Sequence, residues 1–467
     1  MKKIIFAVMA LVLVSAGMAA AEEGGVEIGG DYRFRYDNLS GTTHDYYKFG
    51  DVLGFMLGGP APSLTKGETV KNNSLYLNRF GINLKANAVE DITVKARLVM
   101  YKVWGQETMT PVMGNYFADR AMGPNDGTVG HVPSDNAMRV DSAYATWSNV
   151  GGAPAWFSVG RRPSTGGIPT NVRQNTEKIG TAGIPAIMVD YAFDGLTIGY
   201  APDIAVMPGA YAKLCYGRGF DSGFKSDANS VKDTDFLGLN AAVYDTEKLH
   251  VELQYQKGWH IFNAPSDAGV TTNLGDISWV GGVVTGKIDN LNLFFSAATS
   301  NTTPNDNLYM VDTTGDGVPD MGVAGLMYDA AAMGGEKKSQ SGNAFYLGGR
   351  YDIKSTGTKI GAEYNHGSQY WIGMVPAGDD LWTSKLGTRG SVYELYVIQE
   401  LKNKPIAKKG QAFFRLGYQM SKYDYTGSNS WIGAPKKIDD LASPANAQML
   451  TPIKDSKDIY LTFDVKF

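Results

Sequence analysis

Charged side chains recur at every second position in this chain, and that spacing is where chemistry could be done. Near the start, Asp31, Arg33 and Arg35 alternate with Tyr32, Phe34 and Tyr36. Arg79 then stands out of phase with Phe80, Ile82 and Leu84, and Lys95 and Arg97 out of phase with Val94, Ala96 and Leu98. A period of two places alternate residues on opposite faces of a β-strand. One face is thus charged and wetted, and the other apolar. Carried along the chain, the same phase adds Arg139, Arg162, Arg350 and Arg415 to the basic set. It adds Asp141, Asp190, Glu252, Asp352, Glu363 and Glu394 to the acidic set. Charges on opposing walls of a pore set a transverse field and bias which ions cross. A merely solvated wall would show the same residue types.

The elements that would carry these side chains are strands. The last ten residues, Asp458 to Phe467, alternate strictly: Ile459, Leu461, Phe463, Val465 and Phe467 against Tyr460, Thr462, Asp464 and Lys466. Comparable segments begin at Val26 to Tyr36, around Phe80 to Ala86 and at Ile92 to Met100. Arg139 to Trp147 and Ala155 to Arg162 form a hairpin across Asn149 to Ala153. Ile187, Val189, Tyr191 and Phe193 are expected to turn at Asp194-Gly195 into Leu196, Ile198 and Tyr200, because Asp-Gly between alternating runs marks a tight hairpin. Further hairpins turn at Asp245 to Lys248, Asp289-Asn290, Ser355 to Gly357 and Asn403 to Lys409.

The expected layout is sixteen strands (sixteen to eighteen), seven short turns and eight long loops, with an extra pair conceivable around Tyr211 to Tyr216. Sorting short and long connections to opposite ends is the layout of an all-β transmembrane antiparallel barrel with short periplasmic turns and long outer loops. A barrel of this size is wide enough to enclose water. The C-terminal strand must pair with the first, because an open sheet edge cannot face lipid.

Composition agrees. Tyr is 26 residues and Gly 57, which with the alternation favours an all-β chain. Met1-Lys2-Lys3, an apolar run from Ile4 to Val14 and Ser15 to Ala21 read as a signal peptide over 1–21, with the barrel occupying 22–467. The apolar run is shorter than the roughly 20 residues a spanning helix needs. Removing Lys2 and Lys3 takes the formal charge from −4 to −6, which does not suggest a nucleic-acid partner. A single cysteine, Cys215, excludes an internal disulfide, and without Cys-x-x-Cys-His the chain carries no covalent haem of its own.

Two other constellations could do chemistry. Asp312-Thr-Thr-Gly-Asp-Gly-Val-Pro-Asp320 spaces Asp312, Asp316 and Asp320 so that an oxygen cage could hold calcium; Thr314 and Val323 depart from the EF-hand pattern. The alternative is an acidic turn. The histidines His44, His131, His250, His260 and His366 show no metal-ligand spacing. No Gly-x-Ser-x-Gly is present, and an enzyme is not expected.

The alternating strands and the terminal Phe467 resemble bacterial outer-membrane barrels, in which such a final strand is read by the barrel-assembly machinery. Trp156-Phe-Ser-Val-Gly-Arg161 with Ala143-Tyr144 is similar to a hairpin of general and phosphate-type porins. That resemblance implies a third loop, Arg162 to Pro185, folded inward, with Arg161, Arg162 and Arg173 near a constriction. Gly29 to Tyr36, Arg97 to Trp104 and Gly160 to Gly166 resemble a porin-like family of metal- and sulfate-reducing bacteria whose cargo is unassigned. The resemblance implies a porin in the outer membrane of a Gram-negative bacterium, embedded in lipid, passing small hydrophilic solutes or ions. It also implies a homotrimer. The alternative is a barrel that sheathes a separate multihaem cytochrome.

Overall fold

The computed structural model describes residues 25–105, 131–227, 229–263, 270–375, 379–407 and 410–467. The expected signal peptide over 1–21 lies outside them. Among the described residues, sixteen antiparallel strands close into one barrel. They are β1 (Val26–Thr43), β2 (Thr69–Val89), β3 (Ile92–Val103), β4 (Arg139–Ser148), β5 (Ala155–Arg162), β6 (Phe193–Tyr200), β7 (Tyr211–Phe220) and β8 (Thr234–Asp245). The rest are β9 (Leu249–Phe262), β10 (Asn273–Ile288), β11 (Leu291–Pro304), β12 (Ser341–Ile353), β13 (Thr358–Gly367), β14 (Gly390–Glu400), β15 (Gln411–Tyr423) and β16 (Ile453–Lys466). Each pairs with its chain neighbours.

The ring closes where β1 meets β16, with Arg33 opposite Asp464 and Phe34 opposite Phe463. Phe467 and Gly30 exchange backbone hydrogen bonds of 2.8 and 3.0 Å. A β-carbon at Gly30 would lie 2.7 Å from the Phe467 ring, so only glycine lets the aromatic lie across the seam.

The period-two pattern sorts the faces as physics requires. Tyr76, Val94, Leu253, Leu293 and Leu395 are exposed on the outer surface. Their in-strand neighbours Leu77, Glu252, Gln254, Phe294 and Glu394 point inward and are buried. An apolar outer belt around a closed ladder suits a hydrocarbon surround, because a closed ring leaves no open sheet edge facing lipid.

The strand count agrees with expectation, but one hairpin does not. Phe193–Tyr200 runs straight through Asp194-Gly195 as part of β6, and the partner strand is Tyr211–Phe220. Ile187, Val189 and Tyr191 belong to no barrel strand and are buried inside the ring. The physical reason is visible in the run itself. Ala186, Met188 and Ala192 at the intervening positions are apolar too and equally buried, with Asp190 the one charged exception, as in a segment covered on both sides rather than one with lipid on one face and water on the other.

The long connections lie at one end. Loop 44–68 carries α1 (Phe49–Met56), and loop 305–340 holds a small sheet of Tyr309–Val311, Met321–Gly325 and Tyr328–Asp329. Loop 163–192 contains the short helix α2 (Thr170–Gln174) and enters the barrel together with loop 368–389.

Candidate functional site

The barrel interior is where the inward-facing side chains meet, and two loops occupy it. Loop 163–192 and loop 368–389 touch backbone to backbone: the Asp190 N–H donates to the Met374 carbonyl at 2.7 Å, and the Met374 N–H to the Met188 carbonyl at 3.1 Å. Both loops supply apolar side chains to one buried cluster. Ile184, Ile187, Met188 and Val189 come from the first, and Trp371, Ile372, Met374 and Leu386 from the second. They pack on the inward faces of β8 to β12 through Phe236, Ile277, Trp279, Phe294, Ala344 and Tyr346. The Trp279 Nε1–H donates to the Ile372 carbonyl at 2.7 Å, which satisfies the indole as it is buried.

The other side of loop 368–389 is charged. Asp379 takes hydrogen bonds from the Arg33 guanidinium and from Arg79 Nη1 at 3.2 Å, while its carbonyl accepts Arg35 Nη1 at 2.8 Å. Arg33 also binds Asp464 at 2.5 Å, and Arg35 binds Asp37 at 2.7 Å and Asp458 at 3.0 Å. Burial by itself would raise the Asp379 pKa. The guanidinium groups of Arg33, Arg79 and Arg35 outweigh burial and hold its carboxyl well below the usual carboxylate range.

A second knot joins both loops to β13, β14 and β16. Lys385 bridges Glu363 at 2.5 Å and Glu394 at 2.6 Å. Arg173 of α2 reaches Glu394 at 3.1 Å and Asp380 at 3.5 Å, and its carbonyl accepts Arg415 Nη1 at 3.0 Å. The Tyr460 hydroxyl donates to Glu394 and the Tyr346 hydroxyl to Glu363, each at 2.5 Å. Arg173, Lys385, Glu363 and Glu394 persist as charges at this depth because each has an oppositely charged partner; removal of one partner strands the other.

The expected wall residues thus fall into groups. Arg33, Arg35, Arg415, Glu363 and Glu394 are sealed in these knots. Arg350 pairs with Asp352 at 2.7 Å and donates to the Val172 carbonyl of the inward loop. Glu252 accepts from His250 at 2.8 Å, with the other ring nitrogen 3.0 Å from Asp245. Arg162 lies 5.7 Å over the Tyr144 ring and lines a small cavity of about 60 Å³ between β5, β8 and the loop. Arg161 is 3.5 Å from Asp194, and Asp190 sits in the inward loop, accepting the Gly166 N–H. Arg139 keeps the expected inward phase, opposite the buried Val99, and its side chain folds onto Asp135 of its own loop at 2.6 Å. A bulge at Asp141 shifts the alternation only beyond it, so that Ser142 rather than Ala143 faces inward.

The wall of β1 to β4 stays partly open to water. Arg97 binds Asp31 at 2.6 Å and Asp141 at 3.3 Å, and Arg79 lies 3.8 Å from Asp31. These side chains keep 22, 20, 11 and 19 % exposure for Arg97, Asp31, Asp141 and Arg79, against 4 % or less for Arg33, Asp379, Glu363 and Glu394. Lys95 is exposed, one register step from the Lys85–Glu27 pair at 2.9 Å.

The Asp312–Asp320 loop is exposed and its carboxylates serve the turn. Asp312 accepts the N–H groups of Thr314, Gly315 and Gly317, Asp316 that of Val318, and Asp320 binds Thr313. Among the described residues no group of three or more His, Cys, Asp or Glu is arranged to hold a metal ion.

Sequence reasoning missed loop 368–389, including Asp379, Asp380 and Lys385. The signal was present: Trp371-Ile-Gly-Met-Val375 is an apolar run in a connection that ought to be solvated.

Fold and interior together define a closed barrel of sixteen antiparallel strands, with an apolar belt and a charged interior that two loops enter. Residues 69–467 match the family described as protein of unknown function DUF3373, and the chain belongs to it. No curated protein sequence matches the chain. Solved structures similar to it include OmpT, an outer membrane protein of Vibrio cholerae in trimer form, at 10 % identity over 95 % of this chain and 99 % of that one, TM-score 0.42. Another is OmpF of Salmonella typhi in complex with daunomycin, at 11 % identity over 95 % and 98 %, TM-score 0.45. An anion-selective porin from Comamonas acidovorans matches at 9 % identity over 95 % and 100 %, TM-score 0.42. Such values describe general architecture and carry nothing about cargo.

Proposed function

We propose that this chain is a porin of a Gram-negative outer membrane, passing small hydrophilic solutes or ions passively along the wall of β1 to β4. The observation that supports this is the contrast in exposure. Asp31, Arg79, Arg97 and Asp141 stay partly solvated beside the Arg33–Asp379 and Lys385–Glu394 pairs, which are sealed. With Lys85 and Lys95 further along and only Glu27 opposing them, the passage carries a modest excess of positive charge. Sieving follows from the two inward loops, so the channel is narrow for its strand number.

Pore-lining roles are accordingly assigned to Asp31, Arg79, Lys95 and Arg97. The sealed set, Arg33, Arg35, Arg350, Arg415, Glu252, Glu363 and Glu394, shapes the passage from behind. Lipid contact through the outer belt, delivery by the assembly machinery through the strand ending in Phe467, and a homotrimer belong to the same proposal. A cytochrome sheath would need a lumen free of its own loops, and loops 163–192 and 368–389 occupy much of this one. An enzyme is not favoured. His366 Nδ1 lies 3.1 Å from Ser391 Oγ, yet among the described residues no carboxylate is hydrogen-bonded to that imidazole. Calcium at Asp312–Asp320 stays a separate proposal, since the carboxylates would have to release turn N–H groups to ligate; titration with calcium chloride decides it.

The test is single-channel recording of refolded protein in a planar bilayer under a salt gradient. Small discrete steps with a reversal potential favouring anions support the reading. A folded, heat-modifiable barrel that never conducts would refute it.

A further inference from the structure

Above the inward loops, the outer mouth encloses a cavity of about 660 Å³. It is roofed by loop 44–68, loop 305–340 and the stretch 432–452, and floored by Thr383, Arg389, Thr426, Gly427, Ser428 and Ser430. The volume lies within the roughly 300–1,000 Å³ usual for small-molecule sites.

The lining has two characters. Phe49, Val52 and Met56, at helical spacing on α1, face it together with Met333, Ile432 and Met449. The helix buries none of its residues fully: Phe49 and Val52 are half-buried and Met56 is exposed, so their cavity side stays uncovered. Met56 and Met449 are both more than half exposed. Scattered exposed apolar residues need no explanation, but here they converge on one concave surface.

The charged lining is Arg389, Lys436 and Asp329. Lys436 and Asp329 pair at 2.5 Å and cancel. Arg389 is 1 % exposed and donates to the carbonyls of Trp371, Thr426, Gly427 and Ser430. No carboxylate among the described residues forms an ion pair with it. Carbonyl oxygens satisfy its N–H groups without neutralising its charge, so the cavity floor presents a net positive field at low dielectric.

We infer that this outer cavity binds a small amphipathic anion, with an aromatic or aliphatic body against the α1 stripe and a carboxylate-type head held by the field of Arg389. A neutral molecule of the same shape gains the apolar contact but not the field. A fully hydrophilic anion gains the reverse.

The test uses the full barrel in lipid nanodiscs, titrated calorimetrically with naphthoate and, separately, with naphthylmethanol. Empty nanodiscs supply the partition blank. The expected result is saturable naphthoate binding with Kd below about 1 mM and about tenfold weaker binding of the alcohol. Ala332→Trp, on an exposed turn lining the cavity, should fill it and reduce naphthoate affinity about tenfold or more. Arg389→Gln should bring the acid and the alcohol to equal affinity. If that variant loses its heat-modifiable fold, Ala332→Trp still decides the location and the acid–alcohol pair still decides the charge. Absence of saturable binding, equal affinity for acid and alcohol in the unaltered protein, or binding untouched by Ala332→Trp would each overturn the inference. None of these readouts depends on conductance.

Discussion

The two sides of the lumen hold the same inserted loop by opposite means. On the side of β8 to β12, loop 368–389 is packed by Trp279, Phe294 and Tyr346 against Trp371, Ile372 and Met374. On the side of β1, β2 and β14 to β16, it is latched by Asp379 and Lys385 to Arg33, Arg79 and Glu394. Apolar packing is non-directional and tolerates small shifts. A buried ion pair does not, because each charge loses its compensation if the geometry slips. The apolar side therefore anchors the loop, while the charged side fixes where its edge stands. That edge borders the partly wetted wall of β1 to β4, so the position of Asp379 sets the width of the proposed passage.

The comparison can be broken most severely by removing the loop. Replacing residues 370–387 with a short Gly-Ser linker should raise single-channel conductance severalfold, because a ring of sixteen strands is wide enough for an aqueous channel. Unchanged conductance would mean that loop 163–192 alone closes the ring. The next effect is on stability. Trp279→Ala should cost about 3–5 kcal/mol in local stability and lower the heat-modification temperature, leaving ion selectivity unmoved.

Asp379→Asn strips Arg33 and Arg79 of a shared partner and should cost a similar amount, about 3–5 kcal/mol. Its signature should be a noisier and larger conductance, with the apolar side intact. A quiet channel of normal size would show that packing alone positions the loop. The double variant Arg79→Gln/Arg97→Gln should shift the reversal potential toward cations under a salt gradient, with a smaller change in conductance.

The smallest effect is the response to acid. The folded Asp379 carboxyl is held below the ordinary range, so its contribution is complete above the unfolded pKa of about 3.9 and is lost only as pH falls through the depressed folded value. Conductance should accordingly be flat from neutral pH down to about 4. Widening already at mildly acidic pH would place the controlling latch elsewhere.

How far the sequence carries is clearest at three places. The strand Ile453–Lys466 is read correctly because its alternation is strict and its partner β1 alternates in phase. Arg33, Arg35, Arg79 and Arg97 are read correctly as inward-facing for the same reason. Arg139 stands inward opposite Val99 as read, but the bulge at Asp141 breaks the count of two for the rest of β4. The run from Ala186 to Ala192 is misread as a strand because apolar residues at alternate positions were counted while the apolar residues between them were not.

The sequence alone determined the sheet. A period of two with one greasy face, interrupted by turn residues, leaves a closed barrel as the arrangement that buries no unpaired backbone in lipid. Only the tertiary structure decided what fills the barrel. Asp379 lies 346 residues from Arg33 and Glu394 lies 221 from Arg173, and no local periodicity encodes such meetings. They arise because a loop with an apolar run has nowhere better to bury it than the inside of the ring that its own strands enclose.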